Sequence, residues 1–96
     1  MAAIELKRYH VKPGCWDECL AVLRRIVEVR KRYGFRVLFA VLDREQNLLT
    51  WAIEHDGDFD EVAKAYYVDP ERVELEIIER YVTDYEIRKV EAVPLG

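Results

Sequence analysis

ELKRYHVKPGCWDECL, residues 5–20, decides the architecture of this chain. Over residues 4–11, Ile4, Leu6, Tyr9 and Val11 are set among polar neighbours in the manner of a β-strand, and Pro13-Gly14 stops the run. Beyond that corner the period changes. Trp16, Cys19, Leu20, Leu23, Ile26, Val27 and Tyr33 recur at steps of three and four, which predicts one buried helix face, and Gly34 supplies its stop. Glu18, Arg25, Glu28 and Arg32 fall on the opposite face.

Two β-prone runs follow, FRVLFAVL (35–42) and LLTWAIEH (48–55), joined by the polar loop Asp43-Arg44-Glu45-Gln46-Asn47 as a hairpin. Asp58 and Glu61 have the spacing of a helix-capping pair, opening a short helix with Phe59, Val62, Ala63 and Tyr66 inward. Asp69-Pro70 restarts it, because proline suits the first helical position and aspartate the cap. Val73, Ile77, Ile78 and Tyr81 are expected to continue the buried stripe as far as Thr83-Asp84, and a last strand is expected from about Tyr85 to Val93. The order βαββαβ predicts a single ferredoxin-like α+β domain over residues 1–96, with a four-stranded antiparallel sheet in the order 4-1-3-2 and both helices on one face. Residues 37–42 are apolar without interruption, and 48–53 are broken only by Thr50. The second sheet face therefore also needs cover, and the economical source is the same face of a second copy, giving a homodimer that closes into an α/β barrel.

Length and charge narrow the function classes. A 96-residue chain buries a smaller share of its surface than larger domains do, which also favours a partner subunit. The net charge of −4 argues against general nucleic-acid binding. Residues 1–36 nevertheless carry nine Lys/Arg against four Asp/Glu, and residues 37–96 carry six against fifteen. This split favours two helices of opposite sign lying side by side over a patch that recognises a partner, with the basic first helix pairing with Glu74, Glu76 or Glu79 and the Arg24-Arg25 and Arg30-Lys31-Arg32 clusters spread over its exposed side. Serine is absent and Asn and Gln occur once each, a thermophile-like composition. No apolar run is long enough to cross a bilayer and no signal-peptide core is present, so a soluble cytoplasmic protein is expected, with no membrane partner.

The first strand and its corner resemble those of the NIPSNAP family, within the dimeric α/β-barrel superfamily, whose pattern is E-L-R-x-Y-x-V/L-K-P-G. Here it is Glu5-Leu6-Lys7-Arg8-Tyr9-His10-Val11-Lys12-Pro13-Gly14, with Lys7 in place of the arginine. DFDEVAKAYYVDPE (58–71) and Trp51 are similar to further segments of that family. The resemblance spans about residues 4–93. It implies a homodimer and a cavity in each subunit between sheet and helices, but no single chemistry, because the superfamily includes cofactor-free monooxygenases, an isomerase, haem enzymes and ligand-sensing domains.

Several residues are candidates for chemistry. Tyr9, Trp51, Phe59, Tyr66 and Tyr67 are expected to converge near one sheet end; packing of a small core is their plainer role, and the alternative is a pocket where a flat apolar metabolite would find aromatic walls and polar contacts from Arg8, Tyr9 or His10. Tyr9, His10 and Trp51 form the polar triad of an enzymatic alternative, a cofactor-independent monooxygenase or isomerase. His10 and His55 fall at opposite ends of antiparallel neighbouring strands, separated by well over about 10 Å, so they do not act as a pair. Haem ligation through one histidine is a weaker alternative, and a further one is an assembly module whose opposite helix charges mediate higher oligomers. Cys15 and Cys19, four apart on one helix, are too far apart for a relaxed disulfide and lack further soft ligands for a metal. No cofactor and no metal are expected.

Overall fold

The computed structural model describes residues 2–96. Its elements run β1 (Ala3–Val11), α1 (Trp16–Arg32), β2 (Arg36–Asp43), β3 (Leu48–His55), α2 (Phe59–Tyr67), α3 (Pro70–Glu74), a 3₁₀ segment (Leu75–Tyr81) and β4 (Val82–Val90). The four strands form one sheet in the order β2-β3-β1-β4, all neighbours antiparallel. This is the expected ferredoxin-like order. One helical layer covers one sheet face, and the molecule is accordingly thin, 39 × 38 × 18 Å along its principal axes.

The corner after β1 forms as its residues require. Gly14 takes φ +80°, the left-handed region that favours glycine, and Cys15 N–H donates to the Lys12 carbonyl at 3.0 Å. Both aspartate caps form: Asp58 accepts from the Glu61 N–H, and Asp69 accepts from the N–H groups of Glu71 and Arg72 at 2.8 and 3.4 Å. Pro70 then occupies the first turn.

The core lies between α1 and the two central strands. Cys19, Val22, Leu23, Ile26 and Val29 of α1 pack with Leu49, Trp51 and Ile53 of β3. Pairing registers fix the faces. Leu6 opposes Ala52 and Phe39 opposes Ala52, so these three share the open sheet face, while Tyr9, paired with Leu49, and Lys7, paired with Trp51, point under the helices.

Several expectations are corrected here. The expected continuous second helix is broken into α2, α3 and a 3₁₀ segment. Three residues per turn bring Leu75, Ile78 and Tyr81 inward, leaving Val73 and Ile77 exposed. The last strand begins at Val82, not Tyr85, and ends at Val90, not Val93, because Val82 pairs with Val11 across a register shift at His10/Val11. On α1, Leu20 and Val27 are half-buried, and the fully buried stripe turns instead toward Val22, Val29 and Arg30. The ion pair between helical elements joins Arg32 to Glu71 at 3.0 Å; among the described residues Glu74, Glu76 and Glu79 take part in none.

Candidate functional site

Beyond the aliphatic core, toward β1, β4 and the α2–α3 arm, the interior becomes polar and aromatic. The helical layer stops short of β4, so Tyr85 remains 56% exposed and Ile87 42% exposed although their pairing with Tyr9 and Lys7 places them on the helix side of the sheet. The result is a cavity of about 300 Å³ lined by Lys7, Tyr9, Tyr67, Arg72, Val82, Tyr85 and Ile87, with Glu76 and Glu79 completing its lining.

Two guanidinium groups stand at its polar side, Arg72 in the lining and Arg30 behind the Tyr67 hydroxyl. Arg30, on the last turn of α1, is only 2% exposed. It stacks 3.9 Å from the Tyr66 ring centroid, 4.7 Å from Phe35 and 5.2 Å from Tyr67, and its Nη2 donates to the Tyr67 hydroxyl at 3.0 Å. Arg72, fixed at the start of α3 by the Asp69 cap, lies 5.4 Å from the Tyr66 centroid and 5.1 Å from Tyr67. Nε and Nη1 of both arginines are buried without a hydrogen-bond partner. Neither guanidinium has a carboxylate within ion-pair distance among the described residues: Asp69, Glu71 and Glu5 are engaged elsewhere, and Glu76 and Glu79 of the cavity lining reach neither. Asp69 accepts from the Tyr33 hydroxyl at 2.8 Å, Glu71 pairs with Arg32, and Glu5 pairs with the buried Lys7 at 2.9 Å. Burying a charge without a partner costs several kcal/mol after relaxation, and a cation–π contact recovers about 0.5–2 kcal/mol. The aromatic stacking therefore offsets only part of the cost.

Two further buried groups border this region, the Tyr66 hydroxyl and the Trp51 indole N–H, neither closing a hydrogen bond of ordinary geometry. Tyr9 meets Trp51 edge-on at 6.3 Å and Tyr85 at 6.1 Å. Burial pushes the Tyr9 phenol well above its ordinary pKa, reinforced by Tyr67 and opposed by the nearby Trp51 N–H and by Arg30 and Arg72. It is a neutral hydroxyl donor at physiological pH. Burial likewise raises Tyr66, against the pull of Arg30 and Arg72.

The structure divides the residues singled out in the sequence. Tyr9 and Tyr67 line the cavity, and Trp51 lies against Tyr9. Phe59 joins a separate stack with Phe35, at 5.1 Å, which continues to Tyr66 at 6.1 Å and to His55 at 4.9 Å. Arg8 and His10 alternate with Tyr9 and emerge on the open sheet face, Arg8 beside Glu86 at 4.0 Å and His10 bonded to Asp84. The grouping of Tyr9, His10 and Trp51 is therefore split by the sheet. His10 and His55 do stand at opposite ends of β1, opposite Leu48 and Ala3 respectively. His55 has both ring nitrogens occupied, Nε2 by the Tyr33 carbonyl at 3.0 Å and Nδ1 by the Gly57 N–H at 2.9 Å, so it braces two loops. Cys19 is fully buried and its thiol is pushed up to about 11 by burial and by Cys15, the reverse of an activated thiolate. Among the described residues no group of three His, Cys, Asp or Glu side chains is placed to hold a metal ion, and no helix is long and apolar enough to cross a membrane.

Sequence reasoning missed Arg30, Arg72, Lys7 and Tyr85. Arg30 had a readable signal: it continues the 16, 19, 23, 26 stripe by four further residues, so helical period alone places it inside.

No family model and no curated protein matches the sequence. Solved structures match its fold over essentially the whole chain. An uncharacterised NIPSNAP domain protein from Burkholderia xenovorans superposes with TM-score 0.82 at 15% identity, covering 100% of this chain and 98% of its own. A NIPSNAP family protein from Agrobacterium tumefaciens gives TM-score 0.83 at 11% identity, covering 100% and 97%. A candidate antibiotic biosynthesis monooxygenase from Bacteroides thetaiotaomicron gives TM-score 0.76 at 25% identity, covering 99% and 90%. The fold is the one these NIPSNAP and monooxygenase-type proteins share.

Proposed function

We propose that this chain is a NIPSNAP-like cytoplasmic protein that works as a homodimer and binds a small aromatic metabolite between β1, β4 and the α2–α3 arm. The observation that carries this reading is the cavity of about 300 Å³ into which Tyr9, Tyr67 and Tyr85 are gathered. Aromatic walls with a few convergent polar groups are the usual make-up of a small-ligand site. Had these tyrosines served only as core, the helical layer would have closed over Tyr85 and Ile87 as it does over β3.

The homodimer is supported by the open sheet face. Phe39 and Val41 are 44% and 58% exposed there, and Phe39 stands in a row with Ala52 and Leu6 across three strands. Exposed apolar rows on a sheet are costly in water and gain from a matching face. Sedimentation of the purified protein at micromolar concentration is expected to give a dimer, and Val41→Glu is expected to weaken it at least tenfold. A monodisperse wild-type monomer overturns the dimer.

Native mass spectrometry of protein purified from its own source tests the ligand reading. A retained small aromatic molecule is the expected result. If nothing co-purifies and thermal-shift screens of aromatic metabolites are flat, the assembly-module alternative replaces ligand binding. The enzymatic alternative, a cofactor-independent monooxygenase or isomerase, is favoured by one observation, the placement of the Tyr9 hydroxyl and the Trp51 indole beside two cationic side chains. Oxygen uptake or isomerisation that depends on Tyr9 and is lost in Tyr9→Phe is the result that would promote it.

A further inference from the structure

Arg30, buried, and Arg72, half-buried, pose a chemical question that an aromatic pocket alone does not answer. Side chains of Arg30 and Arg72 come from different helices, stack over the same two tyrosine rings, and keep Nε and Nη1 buried and unpartnered. The carboxylates of Asp69, Glu71 and Glu5 are committed to Tyr33, Arg32 and Lys7, and Glu76 and Glu79, which share the cavity lining with Arg72, are not within ion-pair distance of either arginine. Stacking on aromatic faces stabilises a cation without satisfying its N–H donors. Both arginines therefore keep donors whose natural complement is a negatively charged oxygen, and Arg72 is the one of the two that lines the cavity.

The Tyr67 hydroxyl strengthens this reading. It already accepts a hydrogen bond from Arg30 at 3.0 Å, so its own proton is free to be donated, and the residue lines the cavity together with Arg72. Arg30 thereby acts through Tyr67: a cation bonded to the phenol oxygen makes the phenol a stronger donor. Tyr9, a neutral phenol, adds a second hydroxyl on the β1 wall.

We infer that this end of the cavity is an anion site in which Arg72 and the Tyr67 hydroxyl, backed by Arg30, hold the carboxylate of an aromatic acid while its ring lies against Tyr9, Tyr85 and Ile87. The inference rests on the ligand-binding reading above and specifies the class of ligand. Planar guanidinium groups match carboxylate oxygens in pairs. Glu76 and Glu79 also line the cavity, and their charges select against a dianion, so a monocarboxylate is the fitting ligand. Lys7 is not the anchor, since Glu5 already neutralises it at 2.9 Å. Asp69 is a positioning residue: its carboxylate accepts the Arg72 backbone N–H and sets where that side chain starts.

Isothermal titration with naphthoate and with its neutral analogue naphthylmethanol tests the inference. Wild-type protein is expected to bind the acid at least about tenfold more tightly than the alcohol, as a charge-assisted hydrogen bond would give. Arg72→Gln is expected to bring that ratio close to one while leaving affinity for the alcohol within about threefold, and Arg72→Lys, which keeps the charge without the fork, to restore part of the ratio. Equal affinities in the wild type, or a ratio that survives Arg72→Gln, overturn the anion site and leave the aromatic cavity standing. Failure of both probes to bind overturns the cavity reading and the anion site with it.

Discussion

Val29 and Arg30 are neighbours on one helix, both almost wholly buried, yet they face two different interiors. Val29 belongs to the aliphatic end, where Cys19, Leu23 and Ile26 pack on Leu49 and Ile53 and, among the described residues, no buried side-chain nitrogen or oxygen lacks a partner. Arg30 opens the aromatic end, where all the unpartnered buried side-chain atoms among the described residues are gathered, on Arg30, Trp51, Tyr66 and Arg72. The first interior is organised to be stable and the second is organised at a cost in stability. A fold that places its unsatisfied groups in one region, beside its open cavity, marks where function is to be sought.

The largest effect that sharpens this contrast is expected at Leu49, 1% exposed in the aliphatic end. Leu49→Ala should lose about 2–5 kcal/mol in urea unfolding, with the preference for acid over alcohol unchanged in the protein that remains folded. Arg30→Met is expected to do the opposite. Replacing an unpaired buried charge with an apolar side chain of similar length should leave stability unchanged or raise it by about 1 kcal/mol, while the acid preference falls severalfold. If Arg30→Met were as destabilising as Leu49→Ala, the two interiors would be energetically alike and the contrast would fail.

A smaller effect is expected at Asp69, where the Tyr33 hydroxyl and then the backbone N–H groups of Glu71 and Arg72 hold the carboxyl below its usual pKa. A carboxyl whose folded pKa is depressed contributes stability that is complete above the unfolded value, about 3.9, and is lost as pH falls through the folded one. The stability difference between wild type and Asp69→Ala should therefore be constant near neutrality and shrink with acid below about pH 4. A difference independent of pH down to pH 2 would assign the cap no electrostatic part. The same variant should weaken the acid preference, since Arg72 loses its anchor.

How much of this was legible beforehand follows from which rule governed each segment. The β1 corner, the hairpin, the strand order and the Asp58 and Asp69 caps were all set by local chemistry and by alternation, and they were readable. The 3₁₀ segment was not, because Leu75, Ile78 and Tyr81 at steps of three and Val73, Ile77 and Tyr81 at steps of four are equally plausible stripes until packing chooses. Thr83-Asp84 resembled a helix stop, yet tertiary pairing with β1 made both residues strand. At the site, Tyr9 and Trp51 were readable as aromatic residues on central strands. Arg30 was obscured by the assumption that basic residues face water, although its helical phase said otherwise, and Arg72 was obscured because its burial depends on Tyr66 and Tyr67 folding over it. Grouping Arg8 and His10 with Tyr9 neglected the alternation of a strand, which sends adjacent side chains to opposite faces.

The most direct measurement is a crystal structure from bromide-containing solution, with the ion located by its anomalous scattering. Bromide within hydrogen-bonding distance of Arg72 and the Tyr67 hydroxyl, in the cavity behind Tyr9 and Tyr85, is the predicted result. Bromide confined to the outer surface, with Glu76 or Glu79 turned inward to pair with Arg72, would contradict the claim that the aromatic end of this interior is an anion site.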